Sequence, residues 1–274
     1  MITGETHHLY GKGDLMTRYD LSICLPAHRT HLWQRLYDSA IEAIGPDYTW
    51  ELIMVGPNDP PPELAAKSNF KFFKDFGSPA RCGQIATALA EGELMFWGSD
   101  DGYFLKDSIK ECIELHEDLP YKDVVIVKYA EGRGISGKCP EDSYWTAWTH
   151  PDLRLPGVPQ DFQIHLLGMY KLDYFRELGG FDCRWEHLNM NTHDLSFRAQ
   201  RNGSKFHFSP SLVLTCDWNP NEGDHVPVQE AYHANDAPLF REVYSTDQSD
   251  RIKIDFYNWT KSDAIWKRRF GDSK

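Results

Sequence analysis

Long hydrophobic runs are what this 274-residue chain lacks first. No apolar stretch approaches the roughly 20 residues that span a bilayer, and the polar opening from Met1 to Tyr19 has no signal-peptide core. A cytoplasmic protein, of a bacterium or of a phage-infected host, without a membrane partner is therefore expected. Cysteine is sparse and scattered: Cys24, Cys82, Cys112, Cys139, Cys183 and Cys216 form no C-x-x-C pair, which excludes a zinc cluster or a disulfide framework. Positive charge is also short. The 29 basic residues stand against 41 acidic ones, a net of −12, which argues against sequence-independent attraction to nucleic acid or anionic lipid. Only Lys261, Lys267, Arg268, Arg269 and Lys274 concentrate positive charge, near the C-terminus. Low-complexity tracts and internal repeats are missing too, so one domain over 1–274 is expected.

Hydrophobic residues at 41% and aromatics at 14% are enough for a sizeable core. From Asp20 to Tyr129 short apolar runs alternate with helical patterns, the texture of βαβ units on a mostly parallel sheet. Strands are predicted at Leu21–Pro26, Glu51–Val55, Phe70–Phe73, Leu94–Trp97 and Asp123–Tyr129. Helices are predicted at His31–Ile44, Cys82–Ala90 and Asp107–Leu115. Between Ala130 and Gln160 the periodicity stops, as in a functional lid or binding loop. Beyond it, a strand at Phe162–Tyr170, a helix at Leu172–Leu178, a helix starting near Asp194, strands at Phe206–Phe208 and Leu212–Thr215, and a helix at Asp236–Tyr244 are predicted.

The most informative segment is Leu94-Met95-Phe96-Trp97-Gly98-Ser99-Asp100-Asp101-Gly102. It reads as one buried strand ending in two adjacent carboxylates. In open α/β sheets ligands gather beyond the carboxyl ends of the strands. Two acids there repel each other unless a positive group neutralises them. Hard divalent cations, Mg²⁺ or Mn²⁺, are natural partners for oxygen ligands and usually bring a phosphate. The plainer alternative is an Asp-Asp-Gly turn capping a following helix.

The ordered segments SICLPAHR, WELIMVG, SPARCGQIATALAEGELMFWGSDDG, LGGFD and HDLSFRAQRNG resemble a GT-A-fold, nucleotide-sugar-dependent glycosyltransferase, most similar to family two, over Tyr19 to Gly203. Some phage-encoded glycosyltransferases have a similar texture. The resemblance implies a Rossmann-like α/β fold, with residues 19–129 binding the nucleotide sugar and 130–274 forming an acceptor-binding half and extension. It places the donor against Pro26, Ala27, His28 and Arg29 at the first strand end, and against Arg81 and Gln84 at a helix start. Asn58, with Asp59 beside it, stands where the family often has a base-reading aspartate. The D-x-D signature falls on Gly98-Ser99-Asp100, so Ser99 and Asp100 are assigned to the donor. Asp100, Asp101 and, from late in the chain, His225 are assigned to the metal, with His233 the second choice.

On the acceptor side, Gly179-Gly180-Phe181-Asp182 and His193-Asp194-Leu195-Ser196-Phe197-Arg198 resemble the family segment whose acid deprotonates the attacking hydroxyl. Asp194 is the matching candidate, read as an acid in a first helical turn behind a Thr192 cap. Asn191 and Thr192 replace earlier acids, and Glu186 is the competing base. Arg198 reads as half of a structural ion pair. Among tryptophans 145, 148, 185 and 218, Trp148 and Trp185 are the candidates for acceptor stacking. The resemblance thus implies an inverting, Mn²⁺- or Mg²⁺-dependent transfer of a sugar from a nucleoside diphosphate, a UDP-sugar first. The acceptor is a hydroxyl on a glycan or a hydroxymethylated DNA base. Nucleotidyl transfer and a catalytically silent nucleotide-sugar-binding module are the alternatives.

Overall fold

The computed structural model describes residues 19–131, 144–150, 153–216 and 225–262. The chain begins with β1 (Tyr19–Pro26), α1 (Trp33–Ile44), β2 (Trp50–Gly56), a short α2 (Pro62–Ala65), β3 (Phe70–Lys74), α3 (Pro79–Leu89) and β4 (Gly92–Trp97). It continues through β5 (Gly102–Phe104), α4 (Ser108–Glu117), β6 (Val124–Glu131), β7 (Tyr144–Thr146), β8 (Gln163–His165), β9 (Gly168–Lys171) and α5 (Leu172–Glu177). Last come α6 (Leu188–Arg201), β10 (Phe206–Cys216), α7 (His225–Ala231) and α8 (Ala237–Val243).

The large sheet has the order β3-β2-β1-β4-β9-β6-β10-β5. β1 pairs in parallel with β2 and β4, β2 with β3, and β6 with β10, whereas β9 and β5 run against their neighbours. Strands buried on both faces send alternate residues into different layers. In β1, Leu21, Ile23 and Leu25 enter a core with Trp33, Leu36 and Ala40 of α1 and Cys112 and Ile113 of α4. Cys24, with Ile53, Val55, Met95 and Trp97, faces Cys82, Ile85 and Ala86 of α3 and Phe175 of α5. A third cluster joins Ile164, Trp185, Met190, Phe197, Phe240 and Tyr244 in the later part of the chain. No helix among the described residues is long and apolar enough to cross a membrane. The five described cysteines are free and buried; Cys139 lies outside the described residues.

The start of α3 follows ordinary capping chemistry. Ser78 caps α3 by accepting from the Arg81 amide, with Pro79 at the first helical position. Gly83 brings α3 close to the segment after α5, since a Cβ there would lie 3.3 Å from the Phe181 ring.

Several local expectations change. The run Phe162–Tyr170 is two strands in two sheets, β8 beside β7 and β9 between β4 and β6. The late strands at 206–208 and 212–215 are one irregular strand, β10. The Asp-Asp-Gly turn leads into β5, an antiparallel edge strand that no periodicity announced. α6 begins at Leu188, capped by His187, so Asp194 lies in mid-helix and not in the first turn. The cap and dipole expected for Thr192 and Asp194 therefore do not apply: the Thr192 hydroxyl donates back to Asn189 O at 2.8 Å.

Candidate functional site

The carboxyl ends of β1, β2 and β4 meet around Asp100, which is 3% exposed. Its Oδ2 accepts from the backbone amides of His28 and Arg29, both at 2.6 Å, and from Trp33 Nε1 at 3.0 Å. Its Oδ1 accepts from Arg29 Nη1 at 2.7 Å. Charge-assisted bonds of this kind are among the strongest a side chain makes. Asp100 thus shapes the loop after β1. These donors to Asp100 are all protein groups, and the Arg29 guanidinium assigned to the nucleotide sugar is turned to Asp100.

The same corner is tightened from β2. Asn58, exposed, donates from Nδ2 to His28 O at 2.8 Å, and Ala27 N donates to Val55 O at 2.9 Å. Gly56 is required by this closeness, because a Cβ there would sit 1.7 Å from Ala27 O. Asp59 pairs with Lys74 at 2.9 Å on the surface. Pro26 and His28 remain half-buried at the rim.

Asp101 is different. It is 5% exposed, Arg35 Nη2 donates to its backbone carbonyl at 2.8 Å, and its Oδ1 has no hydrogen-bond partner among the described residues. Burial pushes its carboxyl up from the ordinary value, opposed by the Ser99 hydroxyl and Arg29 and reinforced by Asp100. A buried carboxylate oxygen without a donor calls for a cation or a proton. The described residues gather no group of three His, Cys, Asp or Glu side chains able to hold a metal alone. Mg²⁺ at phosphate sites, however, usually takes only one or two carboxylates, the rest coming from phosphate and water. Asp101 fits that pattern. His225 opens α7, but its side chain lies outside the described residues; His233 is exposed and rings against Tyr232.

At the start of α3, Arg81 chelates Asp75, with Nε and Nη2 at 3.0 and 2.9 Å, and its Nη1 donates to Trp259 O. Gln84 is fully buried: Nε2 donates to Gly179 O and Phe256 O, and Oε1 accepts from Phe181 N at 2.7 Å. Both residues assigned to the donor instead tie α3 to the segments 179–181 and 256–259.

Asp194 is fully buried and fully engaged. Oδ2 accepts from Arg198 Nε at 2.7 Å, and Oδ1 from Arg251 Nε at 2.7 Å and the Tyr244 hydroxyl at 2.6 Å. Arg198 continues to Leu178 O and Gly180 O, and Arg251 reaches Asp182 at 2.8 Å. Burial alone would raise the Asp194 carboxyl; Arg198, Arg251 and Tyr244 outweigh it and hold the group well below the usual carboxylate range. A carboxylate so placed is a poor proton acceptor with no open face, so the assignment of Asp194 as base is corrected. Arg198 is the structural partner expected.

Glu186, 4% exposed, sits between the two halves: its carbonyl accepts from Ala80 N at the start of α3, at 3.2 Å. Trp185 is fully buried in the third cluster, with Arg184 and Arg251 over its ring, so it offers no stacking face to an acceptor. Trp148 is 59% exposed and keeps such a face. Trp218 and the basic residues at 267–269 and 274 lie outside the described residues. The functional reading of the sequence missed Arg251, Tyr244 and Asp236. Each comes from a tail segment with no motif, and only the buried partners reveal it.

No family model matches the sequence, and no curated protein does. Solved structures do. TarS residues 1–349 of S. aureus in complex with UDP-GlcNAc matches 89% of this chain and 73% of that one, with a TM-score of 0.56 at 14% identity. The same fragment in complex with UDP matches 82% of this chain and 70% of that one, with a TM-score of 0.54 at 15% identity. At such identities the likeness is one of fold. The helix-flanked, mostly parallel sheet is the GT-A architecture that the resemblance of the ordered sequence segments implied.

Proposed function

We propose that this chain is a glycosyltransferase that takes a sugar from a nucleoside-diphosphate donor, a UDP-sugar first, and passes it to an acceptor hydroxyl. The observation that carries the reading is the corner at the ends of β1, β2 and β4. Asp100 organises it, and Asp101 faces it with a buried, partnerless oxygen. The fold is shared with a protein crystallised with UDP and with UDP-GlcNAc.

In this reading the loop from Pro26 to Arg29, anchored by Asp100, and Asn58 at the tip of β2 line the nucleotide site. Asp101 and Ser99 face the diphosphate, and Asp101 would hold Mn²⁺ or Mg²⁺. When bound, the ion supplies neutralisation of negative charge on the leaving diphosphate. Glu186 replaces Asp194 as general base. Its carboxylate takes the proton of the acceptor hydroxyl as that oxygen attacks the anomeric carbon, and the bond from that carbon to the diphosphate oxygen breaks with inversion. Trp148 supplies an apolar face for the acceptor, a glycan or a hydroxymethylated base.

Titrating the protein with UDP-GlcNAc and Mn²⁺, while following released UDP, tests the proposal. Saturable, metal-enhanced binding with turnover supports it, and the enhancement is expected to vanish in Asp101→Asn. No binding across a panel of nucleotide sugars would sink it. Saturable binding with no turnover against any acceptor would instead favour the silent binding module, which the full engagement of Asp194 keeps in view.

A further inference from the structure

The short segment Arg184-Trp185-Glu186-His187 is held along its whole backbone, from the C-terminal extension on one side and from α3, α6 and Asp182 on the other. Asp236 is fully buried. Its Oδ1 accepts from Glu186 N at 2.9 Å and its Oδ2 from His187 N at 2.7 Å. The neighbouring Asn235 donates from Nδ2 to Arg184 O at 3.0 Å and to Asp236 Oδ1 at 2.8 Å. From the other side, Asn191 Nδ2 reaches Trp185 O and His187 O at 3.4 and 3.3 Å, Trp185 N donates to Asp182 O at 3.1 Å, and Glu186 O accepts from Ala80 N. Asn235 and Asp236 close a π-helical turn, Tyr232–Asp236, set between α7 and α8. Such turns are rare and cost regular hydrogen bonding, so they persist where a side chain must be aimed.

This is more backbone fastening than a connecting loop needs. Two successive amides pointing at one buried carboxylate fix the Cα–Cβ directions of Glu186 and His187, and His187 Nδ1 in turn accepts from Asn189 N to cap α6. Holding a functional group within a fraction of an ångström requires support of this kind, from groups that themselves touch no substrate.

We propose that Asn235 and Asp236 form a clasp that positions Glu186 for proton abstraction, Asp236 being a positioning residue and not a catalytic one. The inference rests on the reading of Glu186 as the base. The clasp is tightest when Asp236 is ionised, since an anionic acceptor makes the stronger bonds to N–H. Burial pushes the Asp236 carboxyl up to about 7, against the pull of the Asn235 amide and the His187 N–H. The titratable and charged groups around it are Arg184, Glu186 and His187 on the segment it holds and His233 on its own turn; its carboxylate accepts from the Glu186 and His187 N–H groups and the Asn235 amide. The clasp therefore loosens as pH falls through neutrality.

The test is a pH titration of the full chain by amide NMR, run beside steady-state kinetics. In the wild-type protein the Glu186 and His187 amide protons are expected to shift together with one midpoint near 7, and Asp236→Asn abolishes that shared titration. The kinetic arm expects Asp236→Asn to lower kcat at least tenfold, to leave the donor KM within twofold, and to erase an acid limb of kcat near pH 7. Asn235→Ala is expected to do the same more weakly. Amides that titrate independently, or not at all, overturn the clasp; the wild-type titration decides this even if Asp236→Asn does not fold. If the amides titrate as expected but Glu186→Gln keeps normal turnover, the clasp stands and the assignment of Glu186 as base falls.

Discussion

The two acid-bearing corners of this molecule meet the same electrostatic problem in opposite ways. At the tip of β4, adjacent carboxylates divide the work: Asp100 is saturated by two backbone amides, an indole and a guanidinium, and Asp101 keeps a buried oxygen without a donor. On α6, Asp194 is saturated as well, but by Arg198, Arg251 and Tyr244, and its neighbour Asp182 is claimed by Arg184 and Arg251. The first corner is held on its protein side but keeps one buried carboxylate oxygen without a donor among the described residues. In the second, the Asp194 carboxylate itself is enclosed, while Asp182 and Arg251 line a cavity of about 510 Å³ together with Arg184 and Asn258. A buried acid is therefore not evidence of chemistry by itself, and what matters is whether an oxygen is left over once the protein donors have been counted.

The comparison is broken most forcefully from the α6 corner. Arg251→Ala leaves Asp194 buried with an uncompensated share of charge and is expected to cost about 3–5 kcal/mol of stability, read by urea denaturation. Unchanged stability would mean that the α6 network is not a closed ion system. Its pH signature has a definite sign. Because the Asp194 carboxyl is depressed in the fold, its stabilisation is present above its unfolded value, about 3.9, and is lost as the pH falls toward the folded value. Asp194→Asn should flatten that acid-side slope while also lowering stability at neutral pH.

Next in size is Gly56→Ala. Its Cβ would stand 1.7 Å from Ala27 O, so the ends of β1 and β2 must separate. A cost of about 1–3 kcal/mol and weakened nucleotide binding are expected, measured by thermal unfolding and calorimetry.

The β4 corner is sharpened by splitting its acids. Asp100→Asn removes charge-assisted bonds worth about 1.5–3 kcal/mol, and should weaken donor binding with or without metal, since the loop from His28 to Trp33 loses its anchor. Asp101→Asn should leave stability equal or higher, because burial already disfavours its charge, and remove only the metal-dependent part of binding. Identical losses in both variants would erase the distinction between them. The smallest effect belongs to Trp148→Ala: at 59% exposure it should change stability by less than about 0.5 kcal/mol, while raising the acceptor KM.

Much of the fold was legible. Period-two and period-3.6 patterns from Leu21 to Tyr129 located β1, α1, β2, β3, α3, β4, α4 and β6, because strands buried on both faces and helices buried on one leave strong local signatures. The pattern failed where the context was not local. Leu166 and Leu167 look like mid-strand residues, yet the chain turns there between two sheets. The start of α6 was misplaced because its cap is His187 and not a Ser, Thr or Asp.

The places of the candidate residues in the fold were legible in outline, and their partners were not. That the acid pair lies beyond the carboxyl end of a buried strand follows from sequence, since a buried apolar run ends where polar residues begin, and in open α/β sheets ligands collect at that edge. Which acid is free does not follow, because Asp100 and Asp101 differ by one residue and no local rule separates them. Arg81 and Gln84 show the same limit: their places near a helix N-terminus suited a phosphate, and their partners turned out to be Asp75, Gly179 and Phe256.

By itself, then, the sequence determined the layering of the sheet, the apolar faces of its helices, and the edge at which polar chemistry collects, since each depends on periodicity within a few residues. Only the tertiary structure decided how every charge was spent. Arg29 reaches Asp100 across 71 positions, Arg251 reaches Asp194 across 57, and Asp236 reaches Glu186 across 50. Electrostatic and hydrogen-bond energies depend on distance in space, and separation along the chain does not report that distance.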